Sequence, residues 1–209
     1  AIGRTPNVEG LGLAEIGVKT LPSGIVTNSQ LRTSVKNIFA VGDCTGPFPF
    51  THVAEYQAGI AISNALFPLH RHVDYRAVPW VTYTDPELAH VGMSEEQAKK
   101  AHGHIEVLRF SLADIDRAVI EGHTRGMAKV IADKNGKVLG ASLLGKHAGD
   151  LLPQYCLAVK LGLKVQQIAQ TVIPYPTSGQ LCWRVAQQWY KKRLFEGTVG
   201  KLSRWWLKR

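Results

Sequence analysis

Residues 127–145 read MAKVIADKNGKVLGASLLG: two apolar, β-rich runs separated by Lys134-Asn135-Gly136. The Asn-Gly pair predicts a tight turn with positive φ angles, so 127–133 and 137–145 form a hairpin. Working outward towards the C-terminus, GDLLPQYCLAVKLG (149–162) places Leu152, Tyr155 and Val159 on one helical face, with Gly162 as its stop. A short helix near 165–170 and a longer one over 177–194 follow. Towards the N-terminus, HIEVLRFSL (104–112) reads as a strand. GMSEEQAKKAH (92–102) opens a helix with a Ser94/Gln97 capping box, and VPWVTYT (78–84) is β-rich. Strands and helices in separate blocks predict an α+β domain built on an antiparallel sheet with helices.

Before residue 77 the pattern is looser. Residues 1–36 are rich in glycine and turns, and GIVTNSQLRT (24–33) alternates like a hairpin or edge strand. Ile38–Val41 predicts a buried strand. THVAEYQAGIAISNAL (51–66) has apolar residues at 53, 54, 58, 60, 61 and 65, the mark of a helix packed on its small side. Pro68 and HRHVDYR (70–76) read as a linker, with a domain boundary near 72–77. The expected segments are 1–74, 75–195 and a tail at 196–209.

The chain has 209 residues and is 45% apolar, which predicts a folded protein rather than a disordered one. No apolar run reaches the roughly 18–20 residues needed to span a bilayer, and no secretion signal opens the chain. AIGRTPN at the start reads like the interior of a longer protein. Cys44, Cys156 and Cys182 are odd in number and lack metal or disulfide spacing, so they read as buried thiols in a reducing compartment. The net charge of +9 is concentrated at the end: eight Lys or Arg and one acid, Glu196, lie between Arg184 and Arg209.

GLGLAEIG (10–17) is not a dinucleotide fingerprint, because its third glycine is displaced to 17 and no apolar strand precedes it. It reads as a loop. NIFAVGDCTG (37–46) carries more chemistry. A strand ending in Gly42-Asp43 before a helix start puts an acceptor carboxylate beside a positively polarised helix end. From the residues alone, an Asx-turn or a helix cap explains the same pattern.

In this context the residues resemble the pyridine nucleotide–disulfide oxidoreductases, the flavoenzymes that include dihydrolipoamide dehydrogenase and mercuric reductase. IGRTPN (2–7) is similar to the family's exit from its NAD domain. GIVTNSQLRTSVKNIFAVGD (24–43) is similar to its second FAD segment. The resemblance implies that Asp43 holds the flavin ribityl chain and that Gly42 allows close approach. THVAEYQAG (51–59) is similar to the helix whose N-terminus faces the flavin pyrimidine edge, which implies His52 and Ala54 as contacts. VTYTDPELAHVGMSEEQAK (81–99), DRA (116–118), GMAKVIAD (126–133) and VLGASLLG (138–145) continue in order through the family's dimerisation domain. The fold expected is a dimerisation-type α+β domain preceded by a partial FAD-binding segment.

Two departures qualify the resemblance. The family's GxGxxG strand–turn–helix and redox CxxxxC pair are not in this sequence, so a C-terminal fragment, inactive alone, is expected. At IPYPTSGQ (173–180), lipoamide-type reductases carry a His-Pro-Thr acid/base and then a Glu; here Tyr175 and Gln180 stand at those places. A phenol, with an ordinary pKa near 10, is a poor base at neutral pH, and Gln cannot stabilise an imidazolium. Tyrosine at this position is similar to mercuric reductases, although their vicinal C-terminal cysteines are missing here. Tyr175 and Gln180 are therefore candidate catalytic residues, with a packed turn as the alternative for Tyr175.

The resemblance implies FAD and NAD(P) in the full-length protein, none bound to this fragment, and a homodimer. The histidines show no metal-ligand spacing on a predicted element except at His102/His104, so no metal site is expected. The basic, Trp-containing tail (191–209) suggests an anionic membrane surface rather than nucleic acid, with a solvated or docked end as the alternative. The expected location is cytoplasmic, or peripheral at a membrane. The competing function is a catalytically silent dimerisation or membrane-docking module.

Overall fold

In the computed structural model, which describes residues 3–195 and Trp206, the chain divides into two units, Ala1–Tyr75 and Arg76–Arg209. In the first, β1 (Thr20–Leu21) and β2 (Gly24–Ile25) form a minimal antiparallel hairpin. The expected extension of that strand to 33 does not occur. The Asn28 carboxamide oxygen accepts the backbone N–H groups of Gln30 and Arg32, at 2.9 and 3.1 Å, and turns the chain away. Leu31 completes the bend in the left-handed region (φ 66°) while 1% exposed.

Ile38–Val41 is likewise no strand. It makes one bridge, Phe39 to Arg32, and only Ala40 is fully buried. The apolar run is there, but the described residues supply one rung of a ladder. A 3₁₀ turn follows at Gly42–Thr45, and then α1 (Thr51–Leu66) as expected. Its buried face is Val53, Gln57, Ile60, Ala61 and Asn64, so two amides share the apolar stripe.

In the second unit, β3 (Pro79–Thr82), β4 (Glu87–Gly92), α2 (Glu95–His102), β5 (Ile105–Ser111), α3 (Asp116–Ile120), β6 (Met127–Asp133) and β7 (Val138–Gly145) lead into helices. These are α4 (Ala148–Leu151), α5 (Pro153–Leu161), α6 (Val165–Ala169) and α7 (Gln180–Phe195). The sheet order is β3-β4-β7-β6-β5, antiparallel throughout. This is the expected α+β fold; β4 and α3 are additions to it. Alternation on β4, β6 and β7 buries Ala89, Val91, Ala128, Val130, Ala141 and Leu143 completely on one face. These join Leu152, Tyr155, Leu181, Val185 and Trp189 of the helices in one core. Each large side chain removed from water there contributes about 1.5–3 kcal/mol before entropy is charged against it.

Three local readings are refined. The 127–145 hairpin forms, but only Gly136 takes a positive φ (91°); Asn135 does not. Gly136 N–H donates to the Asp133 carbonyl at 3.0 Å, and the Asp133 carboxylate takes the N–H groups of Asn135 and Lys137 at 2.8 Å. The turn is therefore a three-residue loop with glycine in the left-handed position, not a two-residue one. The helix at 149–162 is broken at Leu152, because Pro153 has no N–H to continue the ladder. The Ser94/Gln97 capping box forms in full, with bonds of 3.2 and 2.9 Å. Among the described residues, no helix is long and apolar enough to cross a membrane.

Candidate functional site

The Gly42–Thr45 turn is held from two sides. On one, the buried Gln57 of α1 accepts the Gly42 N–H through Oε1 at 2.6 Å and donates through Nε2 to the Tyr75 hydroxyl at 2.8 Å. Gly42 has φ 77°, and a Cβ built on it would lie 3.1 Å from the Ala54 Cβ. On the other, Gly24 and Gly46 let the β1–β2 hairpin approach: Cβ atoms there would fall 2.3 Å from the Cys44 carbonyl and 2.0 Å from the Ser23 carbonyl. Glycine is required at these contacts.

Asp43 projects from the turn with its side chain 57% exposed. It borders a cleft of about 580 Å³ whose lining includes Arg4, Thr5, Asn7, Ser23 and Pro49. Arg4 Nη1 donates to the Pro49 carbonyl at 2.9 Å and stands 3.9 Å from Asp43 Oδ2, an exposed pair worth little by itself. The α1 N-terminus has no side-chain cap and no acid in its own first turn. His52 lies in that first turn, stacked on Phe50 with ring centroids 5.2 Å apart. The structure thus brings Gly42, Asp43 and Ala54 together, with His52 on the same helix end. Arg4 and Gln57 were not apparent from sequence; each acts through a residue far along the chain.

Tyr175 and Gln180 lie in the second unit. Tyr175 is 68% exposed and its phenol hydrogen-bonds the Asp116 carboxylate at the start of α3. That bond, with the carboxylate's charge and slight burial, raises the phenol above its ordinary range. Gln180, 8% exposed, begins α7. The phenol's partner is therefore Asp116, which the sequence did not single out except within the DRA motif.

Cysteine chemistry is muted in this unit. Burial pushes the Cys182 thiol up to about 12 and raises that of Cys156. All three cysteines are free. The tail at 196–209, expected to meet a membrane, lies outside the described residues apart from Trp206, which is exposed.

Comparison with known proteins follows the same division. The pyridine nucleotide-disulphide oxidoreductase dimerisation domain matches residues 78–185, and the pyridine nucleotide-disulphide oxidoreductase domain matches 1–58. The dihydrolipoyl dehydrogenase of Buchnera aphidicola is 36% identical over 204 residues, covering 97% of this chain and 41% of its own. The mercuric reductase of Staphylococcus aureus is 37% identical over 182 residues, covering 86% and 33%. Among solved structures, the HOCl-induced flavoprotein disulfide reductase RclA of Escherichia coli superposes with a TM-score of 0.83 at 29% identity, covering 90% of this chain and 44% of that one. LpdA of Mycobacterium tuberculosis gives 0.84 at 28% identity, covering 90% and 42%. The chain spans 33–44% of the length of these relatives. Ordered motifs, antiparallel fold and matched domains agree: the chain belongs to the pyridine nucleotide-disulphide oxidoreductase family.

Proposed function

We propose that this chain supplies the second half of a flavin clamp and the dimer interface of an FAD- and NAD(P)-dependent reductase. The observation that carries this reading is the glycine-requiring turn seated against the first turn of α1, with the half-exposed Asp43 carboxylate beside Arg4 able to accept hydroxyl hydrogen bonds. Asp43 would hold the ribityl chain, Gly42 would admit it closely, and His52 and Ala54 would meet the pyrimidine edge. FAD, when bound, would supply two-electron chemistry between a reduced nicotinamide and the substrate. In the intact protein, Asp43→Ala should weaken FAD binding roughly 10–100-fold, the worth of a charge-assisted hydrogen bond. Undiminished flavin content, measured from absorbance near 450 nm, would overturn the clamp.

Tyr175 and Gln180 would reach the active site of a partner subunit. A phenol raised by Asp116 cannot serve as a base at neutral pH, so it would position substrate or donate a hydrogen bond rather than relay protons. Dihydrolipoamide turnover by the intact protein should consequently be slow, and Tyr175→Phe should lower turnover of the true substrate. Self-association is supported by apolar side chains left in solvent: Leu157 and Leu161 one turn apart on α5, Val119 and Ile120 on α3, and Val172. A peripheral membrane role for the tail rests on its sequence and is tested by salt-sensitive sedimentation with anionic vesicles.

A further inference from the structure

His70 and His72 lie on an extended segment at the end of the first unit, and both rings converge on one side chain of another loop. His70 Nδ1 is 3.4 Å and His72 Nε2 is 3.5 Å from the Gln30 amide nitrogen. That nitrogen can only donate, so both ring nitrogens present lone pairs to the same point. The far nitrogen of His72, Nδ1, lies 2.7 Å from Ser29 Oγ and is tied to that oxygen. An imidazole whose far nitrogen is tied to an oxygen while its near nitrogen offers a lone pair is the arrangement of a metal-ligating histidine.

The backbone beneath these side chains is fixed by one buried group. Asn64 of α1, 3% exposed, accepts the Arg71 N–H at 2.9 Å and donates to the Arg71 carbonyl at 2.8 Å, gripping the residue between the two histidines. The same amide donates to the Gln30 carbonyl at 3.3 Å, and Val73 N–H donates to the Ser29 carbonyl at 2.8 Å. The Arg71 guanidinium is held on the Ser63 hydroxyl at 3.4 Å. Both halves of the cluster are therefore placed before any ligand arrives.

We propose that His70 and His72, with the Gln30 amide turned to offer its oxygen, form an exchangeable site for a divalent transition metal that favours imidazole: Cu²⁺, Ni²⁺ or Zn²⁺. Among the described residues no group of three or more His, Cys, Asp or Glu is arranged for a metal. Two imidazoles and an amide leave positions for water, so the site is labile rather than structural. It stands apart from the flavin reading and does not depend on it.

The test is calorimetric titration of the chelator-stripped intact protein with NiCl₂, repeated with ZnCl₂, in a non-coordinating buffer. The d–d spectrum of bound Ni²⁺ separates imidazole from thiolate ligation. One equivalent should bind with a nitrogen/oxygen spectrum and be lost in His70→Gln/His72→Gln, while His102→Gln/His104→Gln retains it. Ser29→Ala should keep the equivalent but weaken it about 10–100-fold, as expected for removal of an orienting partner. All substituted side chains are exposed, and circular dichroism checks that each variant folds. Equal binding in the wild type and the His70/His72 variant, loss in the His102/His104 variant, or thiolate spectra alone would overturn the proposal.

Discussion

A methyl group on Gly42 would crowd the Cβ of Ala54 at 3.1 Å. Its φ of 77° penalises any side chain, and Ala54 closes the space. Gly42→Ala should therefore cost about 1–3 kcal/mol of stability and diminish flavin retention by the intact protein, read by denaturant titration and absorbance. Tyr155 is a different case. It is fully buried, donates to the Cys182 carbonyl at 2.8 Å, and burial raises its phenol well above the ordinary range, Cys182 adding to the effect. Tyr155→Phe should remove that hydrogen bond while the carbonyl keeps its helical one, and cost about 0.5–1.5 kcal/mol in chemical denaturation. His90 carries the pH dependence. Burial lowers its pKa, the Gly92 carbonyl opposes this, and Lys129 adds repulsion. Nε2 donates to the Gly92 carbonyl at 3.0 Å, so in the neutral ring Nδ1 accepts from the Ser142 hydroxyl at 2.9 Å, and burial disfavours adding a second proton. The unfolded chain then binds the proton more readily than the folded one. Stability is full above about pH 6.5 and falls as pH drops below it; His90→Gln should flatten that slope in thermal melts across pH 5–8. At this scale, the Gly42-Asp43 turn was legible as a candidate because its signal is contiguous. Gln57, Arg4 and Asp116 were not, because each acquires its role only through a partner that folding brings near.

Local chemistry also decides which elements could be read. The Ser94 capping box is self-contained within four residues, and it formed as expected. Ser94→Ala should cost about 1 kcal/mol, visible as a lower denaturation midpoint. The strand at Ile38–Val41 failed for the opposite reason. Its apolar run is compatible with pairing, yet a strand exists only with neighbours, and the described residues give it a single bridge. The 24–33 stretch failed because one side chain, Asn28, competed successfully for the backbone. β4 escaped notice since apolar Leu88 faces away from the core, so the alternation of Glu87–Gly92 emerges only when Ala89 and Val91 are known to face it. Pro153 was visible in the sequence, but the apolar periodicity on either side concealed the break it imposes.

For the whole molecule, the apolar residues left exposed on α3 and α5 predict a stable dimer of the intact protein, with twice the monomer mass in sedimentation equilibrium. Leu157→Lys/Leu161→Lys should shift it towards monomer. A monomer at micromolar concentration without these changes would remove the interface reading. The sheet order has a further consequence, in time rather than space. β6 and β7 join through a tight turn and β5 and β6 through residues 112–126, whereas β4 must find β7 across both intervening strands, pairing Gly92 with Gly140 and Glu87 with Gly145. Closing that larger loop costs more entropy and is slower. Pulse-labelled hydrogen exchange during refolding should protect the Val130 and Ala141 amides before those of β4. The three-stranded meander would be the nucleus, and the β3–β4 edge the last part of the sheet to commit.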